Sequence, residues 1–156
     1  MEQHVIQVLM AGAGTLGFTL FFSVNKKHVA AATFGGLLSW TIYLVIYHIT
    51  ESIFLGNMIA SMIVCLWSEL MARKLKAPTN IFMIPGIIPL LPGGTLYYTM
   101  EAMLQRNKKV FIQKGIETVM ITVGIVAGIV AVSVILVYFF TLLKKYKENL
   151  NSKLTC

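Results

Sequence analysis

Residues 77–95 read APTNIFMIPGIIPLLPGGT and hold all four prolines of the chain, at positions 78, 85, 89 and 92. Three prolines inside an unbroken helix cost roughly 3 kcal/mol each, about 9 kcal/mol together, because each removes a backbone donor and clashes with the carbonyl four residues back. Ile81, Phe82, Met83, Ile84, Ile87, Ile88, Leu90 and Leu91 offset only about 0.5 kcal/mol each on a membrane-insertion scale. The break wins, and 78–104 is predicted as a discontinuous helix. Irregular backbone at membrane depth survives only where it is buried in protein or lines a cavity, so the motif implies a lined interior.

The composition around it excludes a soluble domain. Of 156 residues, 57% are hydrophobic and 12% charged, and the charges lie between the apolar runs. The class is an integral membrane protein. The net charge of +7 then reports cytoplasmic loops, and no nucleic-acid partner is expected because no basic, aromatic-interleaved soluble face exists. All six acids are glutamates, which excludes aspartate-based intramembrane proteolysis and aspartyl-phosphate chemistry. HExxH, GxSxG and Walker patterns are absent too, so no enzyme, metal site or cofactor is expected. Cys65 and Cys156 have no disulfide or metal spacing, and Cys65 reads as a small packing residue.

Working outward from the prolines, the expected fold is all-α and polytopic: four full transmembrane helices plus one Pro/Gly-broken helix, five spans in one membrane domain, 1–156. The helices are placed at about 5–24, 29–49, 52–72, 78–104 (broken) and 115–143, with 144–156 a basic tail. The first run starts with an acid and lacks the basic region of a secretory signal, so it reads as a retained span. Small residues four apart mark close helix approaches: Ala13 and Gly17; Ala31, Gly35 and Ser39, with Ala32 and Gly36; Gly56 and Ala60; Gly124 and Gly128. The last run exceeds a 30 Å hydrocarbon core at roughly 1.5 Å per residue and should tilt or protrude.

Charge alone leaves the path open. If the broken segment spans, nine basic residues face four across the membrane; if it is re-entrant, the loop 105–114 and the tail exchange sides and the count is again nine to four. The first terminus lies outside either way.

Pro85, Pro89 and Pro92 leave the carbonyls of Ile81, Pro85 and Ile88 without their helical donors, a pole able to accept from an ammonium group or coordinate a cation. Gly93 and Gly94 add conformational freedom, and Thr95 reads as the N-cap of a half-helix 96–104 whose N–H groups suit a carboxylate. The expected substrate-binding set is Pro85, Gly86, Pro89, Pro92, Gly93, Gly94 and Thr95, with Asn57, Ser61 and Glu101, holding a small zwitterion or carboxylate as broken-helix transporters do. A ligand-free kink or re-entrant loop is the bland counterpart.

Each polar side chain also has a plain reading. Glu101 either faces the cavity as a proton-coupling carboxylate or sits on the surface by Gln105 and Arg106. Glu69 reads as an interfacial partner of Arg73 rather than a relay, and Glu117 as a carboxylate at the start of the last helix. His48, near Glu51, either titrates near neutral pH or is an interfacial histidine without function. Asn57 and Ser61 line a pathway or bridge helices, and Tyr97 and Tyr98 flank a substrate or belong to an interfacial belt.

With these residues in view, the sequence resembles the threonine/serine exporter family, in the small-subunit form that corresponds to the C-terminal half of the full-length exporter. The family's PGxxPLxPG-type signature stands as Pro85-Gly86-Ile87-Ile88-Pro89-Leu90-Leu91-Pro92-Gly93. Supporting features are Gly17-Phe18 leading to Phe22-Ser23-Val24-Asn25, the Gly35-Gly36 pair, Ala60-Ser61-Met62, and Ala77-Pro78. The resemblance covers essentially the whole chain. It implies a multi-pass exporter of small amino acids or dicarboxylates in a bacterial inner membrane, and a larger partner subunit that supplies a cytosolic domain and the other membrane helices. It also implies a spanning broken segment, an outside first terminus and a cytoplasmic tail. A non-transporting membrane assembly or regulatory subunit, with the proline segment as a docking wedge, is the alternative.

Overall fold

The computed structural model describes residues 2–154, and all the regular structure in them is helical. Helix α1 spans Glu2–Phe21, α2 Lys26–Thr50, α3 Ile53–Leu75, α4 Asn80–Ile87, α5 Gly93–Leu104 and α6 Lys108–Leu154, with a 3-10 turn at Ile88–Leu90. Four helices are long and apolar enough to cross a membrane, and the pair 80–90 and 93–104, bent by 48°, meets the same measure when taken together. A rim of exposed Val, Ile, Leu and Phe covers the outside, as lipid contact requires.

The connections are short because side chains cap the helices. Asn25 accepts from the Lys27 N–H at 3.3 Å and Ser52 from the Leu55 N–H at 3.4 Å, opening α2 and α3. Ser23, Glu51, Lys76 and Arg106 each take a left-handed conformation, φ 51–55°, at the turns that close α1, α2, α3 and α5.

Glycine contacts give the packing order. Helix α1 meets α2 antiparallel: a Cβ on Gly12 would strike Leu37, and one on Gly36 would strike buried Thr15. The expected approach through Ala13 and Gly17 is not used. Ala13 is exposed, and a Cβ on Gly17 would meet nothing within 4 Å. The inward line is Gly12, Thr15 and Thr19, because a threonine hydroxyl can bond its own helix and then be buried. Thr15 donates to Ala11 O at 2.8 Å and Thr19 to Leu16 O at 2.7 Å. The small residues of α2 do face inward, with Ala32, Gly35, Gly36 and Ser39 all buried. Between α2 and α3, Gly56 abuts Tyr43, and the Trp67 indole N–H donates to Ala31 O at 3.0 Å.

Helix α6 lies along α3 in the same direction. Gly124 meets Phe54 O, Gly128 meets Met58 O and Ser61 Oγ, and Phe140 meets Arg73, so both chains advance together. Since α3 and α6 run parallel, the segment joining them must begin at the Arg73 end of the bundle and finish at the Glu51 end. The broken segment therefore crosses; a re-entrant path would make α3 and α6 antiparallel.

Helix α6 also differs from its expected bounds. It starts at Lys108, so the loop 105–114 shrinks to three residues, and it continues to Leu154, so the expected basic tail is helical up to there. Nothing after Leu143 breaks a helix, and Lys, Glu and Leu favour one. Its 47 residues measure about 70 Å. The part beyond Phe140 outruns α3 at the Arg73 end. Glu117 stands three turns inside α6, too far from the start to serve its dipole, and instead accepts from Lys114 Nζ at 2.7 Å. Cys65 is buried, as a packing residue would be, and Cys156 lies outside the described residues.

Candidate functional site

The broken segment is two limbs held by different neighbours. Helix α4 packs on α2 and α3, with Phe82 buried against Ala32 and Ala72; α5 packs on α6, where Thr99 meets Gly115. The join lies at the depth of the central apolar cluster, where Ala60, Val64, Ile87, Leu90, Ile121 and Ile125 meet.

Pro85 is fully buried and Gly86 is a crossing point. A Cβ on Gly86 would lie 2.7 Å from Val64 Cγ1 and 3.6 Å from the Gly35 carbonyl carbon, so α2 and α4 touch backbone to backbone there. Hydrogen at that position is needed for packing, whatever else the residue does.

The chain turns at Leu91 and Pro92, and two expected details change. The Ile88 carbonyl is not free: the 3-10 turn lets Leu91 N–H donate to it at 3.1 Å. Thr95 is not the N-cap, because α5 begins two residues earlier, at Gly93, with Pro92 as its cap. Leu96 N–H donates to Pro92 O at 2.9 Å, which closes the first turn, and the Thr95 hydroxyl donates to Pro92 O at 3.1 Å instead of accepting from a backbone N–H. No glycine has positive φ, so Gly93 and Gly94 are not there to relieve the backbone. What distinguishes them is space. Both are exposed, and a Cβ on either would meet nothing within 4 Å.

That space is the chemical feature of the site. No side chain caps the first turn of α5. Gly93 N–H donates to Leu91 O at 2.8 Å, which leaves the N–H groups of Gly94 and Thr95 as a donor pair at the positive end of the helix, open on the glycine side at the depth of the bundle core. Unpaired donors facing hydrocarbon cost several kcal/mol each, so this face requires a partner protein, a water-filled path or a ligand.

The other expected site residues are not gathered there. Asn57 and Ser61 are buried in the α3–α6 seam beside Gly124 and Gly128, with Asn57 Nδ2 donating to Ile53 O at 2.8 Å and Ser61 Oγ to Met58 O at 2.9 Å. Glu101 lies two turns along α5, accepts from Gln105 Nε2 at 3.0 Å, and lines a cleft of about 190 Å³ with Tyr98, Asn107 and Lys114. Tyr97 and Tyr98 are exposed, edge to face at 5.6 Å, and His48 is exposed in an apolar groove between α1 and α2. Among the described residues no group of three His, Cys, Asp or Glu could hold a metal ion.

Two polar residues matter more than their spacing suggested. Glu69 and Arg73 pair at 2.7 Å, the expected i, i+4 contact, but Glu69 also accepts from Thr79 at the start of α4. Thr79 follows Pro78 directly and so had the look of a half-helix start, the one sequence sign of its role.

A sequence profile of the family described as Threonine/Serine exporter, ThrE, matches residues 7–135, which takes in all five crossings of the bundle. No curated protein and no solved structure registers as similar to the chain.

Proposed function

Since this chain belongs to the threonine/serine exporter family, we propose that it is the membrane subunit of a small-solute exporter whose substrate passes the open first turn of α5. The observation that carries this is the uncapped, glycine-lined donor pair at the depth of the bundle core. A carboxylate of threonine, serine or a dicarboxylate matches it in charge and geometry. The ammonium pole of an amino acid would turn toward the carbonyls of Ile81 and Pro85, whose usual donors are prolines. In this reading Pro89, Pro92, Gly93, Gly94 and Thr95 form the site. Pro85 and Gly86 set the first limb, Asn57 and Ser61 hold α6 beside it, and Glu101 lies toward the Glu51 end.

The site is one-sided within this chain, and we assign its other wall to a larger partner subunit with its own membrane helices and a cytosolic domain. Nine of the thirteen basic residues belong to the Arg73 end, and this excess supports assigning that end to the cytoplasmic side of a bacterial inner membrane, with the first terminus outside.

The test is counterflow of labelled threonine, serine and succinate in proteoliposomes, with and without the larger subunit. Exchange of at least one solute only when both are present supports the reading. Exchange by this chain alone refutes the obligate partner. No exchange in either case leaves the assembly-subunit alternative, which the backbone contact at Gly35 and Gly86 favours.

A further inference from the structure

At the Arg73 end one carboxylate serves three helices. Glu69 Oε1 accepts from Arg73 Nε at 3.1 Å and from its terminal nitrogen at 2.7 Å, while Oε2 accepts from the Thr79 hydroxyl at 2.9 Å. Thr79 is the N-cap of α4 yet makes no side-chain bond to its own helix; its hydroxyl is directed to α3. The Arg73 guanidinium in turn lies 3.6 Å from the ring centroid of Phe140 on α6.

Beneath this network the α2–α3–α4 seam is sealed by Ala32, Ala72 and Phe82, with the His28 ring edge-on to Phe82. Ala31, Met71, Leu75, Ala77 and Ile81 pack around these three, and since apolar contact has no preferred direction, a charge-assisted hydrogen bond adds the directional part of the attachment at this end of the limb. The limb also has somewhere to go. A crevice of about 180 Å³ flanks α4 on its α1 side, lined by Phe22, Val24, Asn80, Ile81, Ile84 and Pro85. Its far end is the break at Leu91 and Pro92, beyond which α5 is held by α6.

We infer that Glu69 is a positioning residue for transport: through Thr79 it latches α4 shut against α3, and the latch opens when the first limb swings about the break. This rests on the exporter reading.

The test uses the full chain with Cys65 and Cys156 replaced by alanine and a single probe, Ala72→Cys, in the seal. A membrane-impermeant maleimide is applied from the Arg73 end. Thr79→Val and Glu69→Gln are expected to raise the labelling rate about tenfold, the order of one hydrogen bond to a charged group. Both should lower the maximal rate of threonine exchange with half-saturation unchanged, and Thr79→Ser should behave as the parent. Parental labelling in both Thr79→Val and Glu69→Gln overturns the latch, as does a loss of folded protein without faster labelling of the remainder. Exchange is measured with the larger subunit present; a parent that exchanges no solute even then refutes the exporter reading, while the labelling still decides the latch.

Discussion

Gly86 stands in the family's signature, and whether it is there for packing or for substrate is open to a size-swap experiment. In Gly86→Ala the new methyl lies 2.7 Å from Val64 Cγ1, about 1 Å inside ordinary carbon–carbon contact. The Gly35 backbone of α2 is already in van der Waals contact with it at 3.6 Å, so there is little room to shift. Overpacking of this kind costs about 1–3 kcal/mol, and the better helix propensity of alanine returns up to about 1 kcal/mol. The expected net is a loss of about 1–2 kcal/mol, or a Tm lowered by about 2–8 °C for a chain of this size. Val64→Ala by itself should also destabilise, since it empties part of the seam. Together the two should fit, with a coupling of about 1–2 kcal/mol in favour of the double variant. The assay is a double-mutant cycle on thermal unfolding of the purified protein, with threonine counterflow measured alongside in the presence of the larger subunit. Additive effects, with coupling below about 0.5 kcal/mol, refute the packing assignment. Recovery of stability without recovery of counterflow shows that Gly86 meets the substrate as well.

The open glycines should behave in the opposite way. Gly93→Ala and Gly94→Ala meet no atoms and need no positive φ, so Tm should hold or rise, while threonine counterflow falls at least about tenfold if the first turn of α5 binds the carboxylate; unchanged counterflow in both removes the site from that turn. Pro89→Ala with Pro92→Ala should abolish counterflow and leave the amount of protein in the membrane intact, and undiminished counterflow would mean the break is not needed. At the α1–α2 contact, Gly36→Ala should destabilise through its clash with Thr15 by about 1–3 kcal/mol, whereas Gly17→Ala should be neutral; equal effects would refute the inward line Gly12, Thr15 and Thr19. Lys76→Gly relieves a left-handed residue at φ 51° and should stabilise by roughly 1 kcal/mol, seen as a higher Tm.

Much of this protein was legible in its residues because the controlling effects are local. Proline cannot donate, so the break had to fall between Pro85 and Pro92, and the bend is found between Leu90 and Gly93. Bilayer thickness sets the length of apolar runs, so the number of crossings followed from their spacing. Glu69 and Arg73, four apart on one helix, pair as that geometry allows.

What tertiary structure decided is which faces turn inward and which ends meet. A membrane helix is apolar toward lipid and toward protein alike, so hydropathy along α1 could not choose Gly12, Thr15 and Thr19 over Ala13 and Gly17; only the fit to α2 did. Charge balance was nine to four for either path of the broken segment, and the parallel course of α3 and α6 alone made it a crossing. The same holds at the site. Prolines 85, 89 and 92 fixed where donors are missing, but a 3-10 turn took up the Ile88 carbonyl, an early helix start moved the free donors to Gly94 and Thr95, and close packing claimed Asn57, Ser61 and Gly86, since a backbone group or small side chain is used by whichever neighbour the fold brings within reach.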